Sequence, residues 1–590
     1  MKKFFYILAA AAVTMWACQK PNAPEQKPDD QKPGGEEQKP GDDQNPDDQK
    51  PDTKDELTLL SDAVVNLNYD SEIITVKFTS TAAWTAEADD FIVLKENAGE
   101  AGENVELKAT VQSLDPEESV GRVGGIAIKS GSKDLGIVVM QGKVFFFTPS
   151  EATVDVKGGK VEFQVVTNQE YTVKTYDDQD AAFPWAPVSF DQTTGAGSLE
   201  VAANGGYDAR YAYIKFTVPG IQVPSYDDDG IPTGETEDYV TRFYVFQAGN
   251  SVEEWRTFLS QDFNVGDGAT ASVAMFDGKL LVCDGLAVHT VDPATGQFNG
   301  TLDTGDLPVQ CIANDDAGNL LFANLGSQDN VFYNVYAVKA GSAFDAGKAV
   351  HLIKFVNDAW SGSTGIDKVA ARGDVFGDGI VTAMYGGVIS SGGLSYTLYW
   401  SISGGKAAET YYNEWNPVVN NPDKGWSLTT PELADDLWVS NRAAFVAAGP
   451  SASDGFFYGG YDGLYNVLYY NGTDWNVCVE GAGDWAGGPQ GLHATTWNGK
   501  KILVIAQMGY VWWDQGWGMP GYLWIVDVTN PANAEVLSCA EYNNALGQTI
   551  SGGTENSSVD VLPVVVGNDL VVYYVDSAQG HLVKVRFPKL

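Results

Sequence analysis

The chain has 590 residues, enough for several domains with cores of their own, and its 36 Lys+Arg against 78 Asp+Glu give a formal charge of −42. That excess of acid excludes nucleic acid as a partner and disfavours polyanionic glycans, because affinity for arrays of anions rests on Lys and Arg releasing counterions. The acid is not confined to one tail: residues 19–56 hold 12 acids and 6 Lys, Lys2 and Lys3 precede them, and −38 of the charge therefore falls on residues 57–590.

Lys2 and Lys3 lead into the apolar run from Phe4 to Val13, a basic n-region and an h-region too short to span a bilayer. The run ends at Cys18, behind Met15, Trp16 and Ala17. This segment resembles the lipobox of bacterial lipoproteins, which implies a signal peptide over residues 1–17 and lipidation at Cys18. From Gln19 to Glu56 the chain repeats Gln-Lys-Pro amid Asp pairs with almost no apolar residue, so it cannot form a core and its prolines stiffen it into a spacer. Lipoproteins of the Bacteroidota carry acidic residues behind the Cys as a surface-export signal. With Glu25 as the first acid, the resemblance implies an outer-membrane lipoprotein displayed on the cell surface, its stalk spanning residues 18–56.

Residues 57–142 alternate short β-prone runs with Gly, Asp and Asn turns, the pattern of an antiparallel sandwich. Trp84, Arg122 and the closing Gln141-Gly142 resemble the BACON domain, an immunoglobulin-like module of Bacteroidota surface proteins. Residues 143–249 resemble a second copy, with Arg210 and Gln247 in the corresponding places. The acidic insertion Asp227-Asp228-Asp229-Gly230 reads as a solvated hairpin tip rather than a calcium site. With no cluster of exposed-looking aromatics in either copy, both are expected to act as spacers rather than in the carbohydrate role for which BACON domains were named.

Behind them a unit recurs six times over residues 250–590. Each unit carries a Gly-initiated apolar strand, beginning at Gly278, Gly318, Gly379, Gly455, Gly499 and Gly567, with a β run before it and a Tyr- or Val-rich run after it. A fourth run closes the first five units, for example Glu409 to Trp415 in the third, while the sixth ends at Leu590 without one. An orphan run, Trp255 to Leu259, precedes the first unit and supplies the missing strand. This is how a β-propeller closes its ring, so the fold class is predicted as all-β, two Ig-like β-sandwich domains followed by a six-bladed β-propeller.

Strand parity puts the connections between second and third strands, and the links between units, at one end. There they are long and aromatic: Trp512, Trp513, Asp514 and Trp517 in one, Trp360, Trp426, Trp438 and Trp485 in others. The turns at the other end are short, as in Asp277-Gly278 and Asn498-Gly499. Indole rings offer flat apolar faces for sugar C–H groups and a polar N–H to spare, so the candidate ligand-binding residues are Trp512, Trp513, Trp517, Asp514, Trp485, Trp426, Trp360 and His493. The competing reading is that these rings pack long loops onto the sheets.

No catalytic residue, cofactor or metal is assigned, since HExxH, GxSxG, P-loop and CxxC patterns are absent from the sequence. His289, His351 and His581 lie in strand-like runs and read as packing residues. Arg372-Gly373-Asp374 spells an integrin-binding tripeptide at a strand-to-turn junction and reads as chance. Cys283, Cys311, Cys478 and Cys539 read as buried thiols, with disulfide pairing left open. The whole architecture resembles Bacteroidota envelope lipoproteins that work with glycan-import machinery, which implies a non-enzymatic binder of neutral glycan serving an outer-membrane transporter. The alternatives are a propeller-type glycoside hydrolase or polysaccharide lyase, with Asp484 and Asp514 as the carboxylate pair to test, and an envelope protein-interaction platform.

Overall fold

The computed structural model describes residues 57–590 except 117–120, 149, 177–182, 227–231, 260–262, 265–269, 325, 328–331, 357–364, 386–395, 409–410, 413–417, 422–424, 429–442, 461–465, 483–487, 513–516 and 543–557. The described residues are all-β, with short 3-10 turns and no α-helix. Cys18, the stalk and Asp227 to Gly230 lie outside them.

The chain divides into two compact units. One takes Met1–Val154, Gly158–Ala202 and Tyr211–Phe246; the other takes Asp155–Lys157, Ala203–Arg210 and Gln247–Leu590. The first unit holds two pairs of sheets. In the first pair, strands Leu57–Leu59, Glu72–Ser80, Gly102–Val111 and Ile92–Leu94 make one sheet; Val64–Leu67, Lys133–Gly142, Gly121–Ser130, Trp84–Ala88 and Ala98–Gly99 make the other. Alternate residues of Glu72–Ser80 and Gly102–Val111 turn inward, as a period of two requires, and Phe78 meets Trp84 edge-on at 5.2 Å in the core between the sheets. Gly99 is needed there, because a Cβ would come within 2.6 Å of the Trp84 indole. The second pair encloses a Phe-rich core that includes Phe163, Phe216 and Phe243.

In the second unit six sheets follow one another. Sheet I is Ser272–Phe276, Lys279–Cys283, Val288–Val291 and Phe298–Thr301; sheet II is Cys311–Asn314, Leu320–Ala323, Phe332–Val338 and Val350–Val356. Sheet III is Ala370–Gly373, Gly379–Tyr385 and Tyr396–Ser403, to which Lys406–Ala407 and Tyr411–Tyr412 both pair. Of the fourth run expected from Glu409 to Trp415, Tyr411–Tyr412 is described and forms strand; the rest lies outside the described residues. Sheet IV is Ala444–Ala447, Phe456–Gly459, Val467–Tyr470 and Trp475–Val479, and sheet V is Gly491–Trp497, Lys500–Gln507, Gly521–Asp527 and Glu535–Tyr542. Sheet VI is Val559–Val566, Asp569–Asp576 and His581–Phe587, completed by Val252–Phe258 from the other end of the unit, which pairs antiparallel with His581–Phe587.

Each sheet is a meander, and the second strands are mostly buried, wholly so in Leu320–Ala323 and Phe456–Gly459, because a neighbouring sheet covers each face, while Lys279, Lys500 and Lys501 at the strand starts stay exposed. Six apolar clusters divide the core, one for each neighbouring pair of sheets, and the pair of VI with I is included. At about 1.5–3 kcal/mol for each fully buried large apolar side chain, these contacts dominate the cohesion of the unit. The first strand of each sheet also packs against the first strand of the next, and that of VI against that of I. The tight turns follow sequence expectation: Asp277 and Gly278 lie at φ 49° and 72°, and Asn498 and Gly499 at 52° and 78°, the left-handed pairs that a two-residue hairpin requires.

Segment 203–210 belongs to this unit because its side chains pack there. Tyr207 meets Trp497 and Phe587 and donates its hydroxyl to the Pro588 carbonyl at 3.0 Å. Asp208 accepts from the Ser538 hydroxyl and, at 2.7 Å, from the Cys539 amide.

Candidate functional site

Strand parity predicts that second-to-third connections and inter-sheet links share one end. In sheet II this is directly visible: Gly326–Ser327, in its second-to-third connection, pairs with Gly365–Ile366 in the link to sheet III. The corresponding connection of sheet V contains a hairpin, Tyr510–Trp512 against Trp517–Met519, whose register sets Trp512 directly opposite Trp517. The link from sheet III to IV contains a second hairpin, Val418–Asn421 against Gly425–Leu428, with Trp426 opposite Asn420. Trp360, Trp438, Asp484, Trp485, Trp513 and Asp514 lie outside the described residues.

Polar side chains close the same connections in sheets I and VI. In sheet I, Asp284 Oδ1 accepts from the amides of Leu286 and Ala287, and Oδ2 accepts from the Asn264 amide and meets His289 Nε2 at 2.8 Å. Burial pulls the Asp284 carboxyl upward, but His289 and three backbone N–H groups outweigh it and hold the group at about 2. The imidazole lies between Phe263, 4.1 Å away, and Phe298, so His289 is a packing residue as its strand position predicted. Sheet VI repeats the spacing with Asp576 and His581. Asp576 Oδ1 accepts from the amides of Ala578 and Gln579, while Oδ2 takes the Tyr574 hydroxyl and the Gly509 amide. Burial pushes its carboxyl up to about 6 against those bonds. His581 is wholly buried, and neither ring nitrogen has a partner among the described residues. His351 stacks on Tyr336 at 4.5 Å and meets Asn334 Oδ1 at 3.0 Å.

His493 sits two residues into the first strand of sheet V, at the start of the fifth unit as the sequence placed it. It lines a cavity of about 40 Å3 to which the first strands of all six sheets contribute, together with Arg372, Asn314 and Asp560. His493 and Asp560 keep some surface open to the cavity, and protein packs around them on the other sides. That enclosure, and then the charge of Arg372, lowers His493 to about 4, so the ring is neutral at pH 7. Enclosure raises Asp560 to about 6 although the ammonium of Lys368 opposes it. Lys368 Nζ in turn donates to the carbonyls of Gln490 at 2.5 Å and Val559 at 3.0 Å. Sequence reasoning missed Lys368, Asp560 and the two Asp-x4-His pairs, although the last spacing is visible in the chain.

Arg372-Gly373-Asp374 is occupied internally. Arg372 Nε and the Gly373 amide both donate to Asp316, and Asp374 Oδ1 accepts from the Phe376 amide and the Asn319 side chain. No group of three or more metal-ligating side chains occurs among the described residues, and Cys283, Cys311, Cys478 and Cys539 are free thiols. No described helix is long and apolar enough to cross a membrane.

The residues that carry the resemblance of the two N-terminal copies form matching bonds. Arg122 Nε donates to Gln141 Oε1 at 2.9 Å, and the Gln141 amide donates to the carbonyls of Tyr69, Asp70 and Gln112. Arg210 Nε donates to Gln247 Oε1 at 2.8 Å, and the Gln247 amide donates to those of Asp155 and Val156. Both pairs thus satisfy backbone carbonyls, a structural role.

Residues 267–587 match a family described as a domain of unknown function, DUF8500. No curated protein matches the chain. Among solved structures it is similar to a Bacteroides ovatus GH5 xyloglucanase in complex with a XXXG heptasaccharide, at 16% identity over 18% of this chain and 22% of that one, with a TM-score of 0.14. It is also similar to a chimeric titin Z1Z2 carrying a peptide from decorin, at 11% identity over 33% and 97% of the two chains, TM-score 0.12. A third likeness is to an endo-fucoidan hydrolase of glycoside hydrolase family 107, at 8% identity over 34% and 29%, TM-score 0.13. The chain spans about a fifth of the length of the xyloglucanase.

Proposed function

We propose that this chain, which belongs to the DUF8500 family, is a surface lipoprotein that captures neutral oligosaccharide on the tryptophan-bearing end of its C-terminal unit. In this reading the C-terminal unit is a six-bladed β-propeller, the two N-terminal sheet pairs are immunoglobulin-like BACON spacers, and Cys18 carries the lipid. Six meanders in succession, one apolar cluster for each neighbouring pair and the strand Val252–Phe258 completing sheet VI support the propeller. The glycan reading rests above all on one observation: the ladder in the second-to-third connection of sheet V sets Trp512 directly opposite Trp517. Cross-strand partners occupy neighbouring positions on one face of a ladder, and tryptophan is the residue type whose flat apolar face suits a pyranose ring. The charge of −42 directs the choice toward uncharged polymers, and a transporter of the outer membrane is the partner to which captured glycan would pass.

Affinity electrophoresis of the full chain in gels containing xyloglucan, β-glucan, galactomannan, starch or xylan tests the proposal. At least one polymer should retard the protein, and a Trp512→Ala, Trp517→Ala double variant should lose about tenfold or more in affinity, which is about 1.4 kcal/mol of stacking. Migration unchanged in every gel would refute it, and release of reducing ends from any polymer would replace capture by catalysis.

A further inference from the structure

We propose a second sugar site in the C-terminal unit: an open groove of about 640 Å3 between sheets I and II that accepts one neutral mono- or disaccharide unit. Its walls come from the turn after the first strand of sheet I, the segment after the fourth strand of that sheet, and the connection between the third and fourth strands of sheet II. None of these carries the tryptophans discussed above, so the site is independent of the polymer-binding end. The volume falls in the range of small-molecule sites, about 300–1,000 Å3.

The groove has an aromatic floor. Phe276 is buried beneath it and meets the half-buried Phe344 edge-on at 6.2 Å; Phe322 braces Phe344 from another side at 5.8 Å. Phe344 is therefore held in place while part of its ring stays open, the arrangement that a sugar C–H face needs and that costs no side-chain ordering on binding. The wall is low because small residues build it. Ala343, Ala346 and Gly347 face Gly305, which is at φ 55° in the left-handed region. A 3-10 turn, Ala346–Lys348, fixes this wall, with Asp345 accepting from the Gly347 amide at 3.0 Å.

The rim carries both charge signs. Asp345 is committed to Lys348 at 3.2 Å, and Asp303 accepts from the Gly305 amide at 3.2 Å. Asp277 and Lys279, which flank the tight turn at Gly278, have no side-chain hydrogen bond or ion pair among the described residues. An anion would meet three carboxylates and a cation would meet two ammonium groups. An uncharged ligand whose hydroxyls both donate and accept can satisfy Asp277 and Lys279 together, and its apolar face can lie on Phe344.

Calorimetry and ligand-observed NMR of the full chain with glucose, galactose, mannose, xylose, cellobiose and maltose provide the test. At least one sugar should bind with a millimolar Kd. Phe344→Ala should weaken it about tenfold or more, Asp277→Asn with Lys279→Ala should do the same without moving Tm, and Ala346→Trp should abolish binding by filling the groove. The Trp512→Ala, Trp517→Ala variant should bind the small sugar as the parent does. Absence of binding by every sugar, or unchanged binding in a folded Ala346→Trp variant, would overturn the site. Retention by a polysaccharide without small-sugar binding counts against the groove alone; small-sugar binding lost in Ala346→Trp without polysaccharide retention upholds the groove and counts against the polymer-binding end alone.

Discussion

Replacing His581 with Phe should leave the C-terminal unit about as stable at neutral pH and make it more resistant to acid. His581 opens the third strand of sheet VI, has no exposed surface, and lies 5.5 Å from the Tyr574 ring with neither nitrogen partnered among the described residues. At pH 7.5 the gain from removing unsatisfied nitrogens, about 1–3 kcal/mol, offsets the strain of a slightly larger ring, also about 1–3 kcal/mol. Acid separates the two proteins. Burial, reinforced by the charge of Arg256, lowers the His581 pKa to about 3, whereas in the unfolded chain it returns to about 6.5. The folded state therefore binds fewer protons in this window, and the parent loses stability as pH falls from about 6.5 toward 3. At 1.36 kcal/mol per pH unit the loss is about 3 kcal/mol by pH 4 and about 4 kcal/mol by pH 3, where the folded ring itself begins to protonate.

Asp560 and Asp576 act in the opposite direction, since their folded values of about 6 exceed the unfolded 3.9 and their contribution to stability falls as pH rises through that window. Comparing variant with parent at each pH cancels both carboxylates. Urea denaturation followed by tryptophan fluorescence at pH 7.5, 5 and 4 gives that difference. A His581→Phe advantage that stays constant within about 1 kcal/mol across the series would refute the reasoning.

Lys368→Met strips two carbonyls of their donor and Asp560 of its countercharge, so it should cost about 3–5 kcal/mol in denaturant melts, and adding Asp560→Asn should restore part of the loss. A single-variant cost below about 1 kcal/mol would contradict the role assigned to Lys368. Gln141→Ala removes the donor to the Asp70 carbonyl and the acceptor of Arg122 Nε, while the Tyr69 and Gln112 carbonyls keep the Leu114 amide and Arg122 Nη2, and it should lower the stability of the N-terminal unit by about 1–3 kcal/mol, seen calorimetrically as a downward shift of one transition while the other stays put. Burial pushes the thiols of Cys311, Cys478 and Cys539 up to about 11, 12 and 12, and raises Cys283 still further. None of the four should react with Ellman's reagent at pH 8 until urea is added; rapid labelling of the native protein would show that the interior opens.

Strands and turns were legible in the chain because both are decided by near neighbours. Alternating apolar residues place Glu72–Ser80, and Asp277-Gly278 and Asn498-Gly499 supply the left-handed pair that a short hairpin demands. The pairing of Val252–Phe258 with His581–Phe587 was also predictable, since five units had a fourth run, the sixth lacked one and one run stood unclaimed. Chemical environment was not legible. Asp284 with His289, and Asp576 with His581, share one spacing, yet only the first pair is bonded. In sheet VI the second carboxylate oxygen is taken by Tyr574 and by the amide of Gly509 in the second-to-third connection of sheet V. The cavity that His493 lines beside Arg372 had no signal in the chain, and Lys368 finds its acceptors more than a hundred residues away. The sequence by itself determined which segments extend and where they turn, because those preferences act within a few residues. Tertiary structure alone decided which polar groups are paired, buried or left facing a groove, because each depends on side chains that only the packing of adjacent sheets brings together.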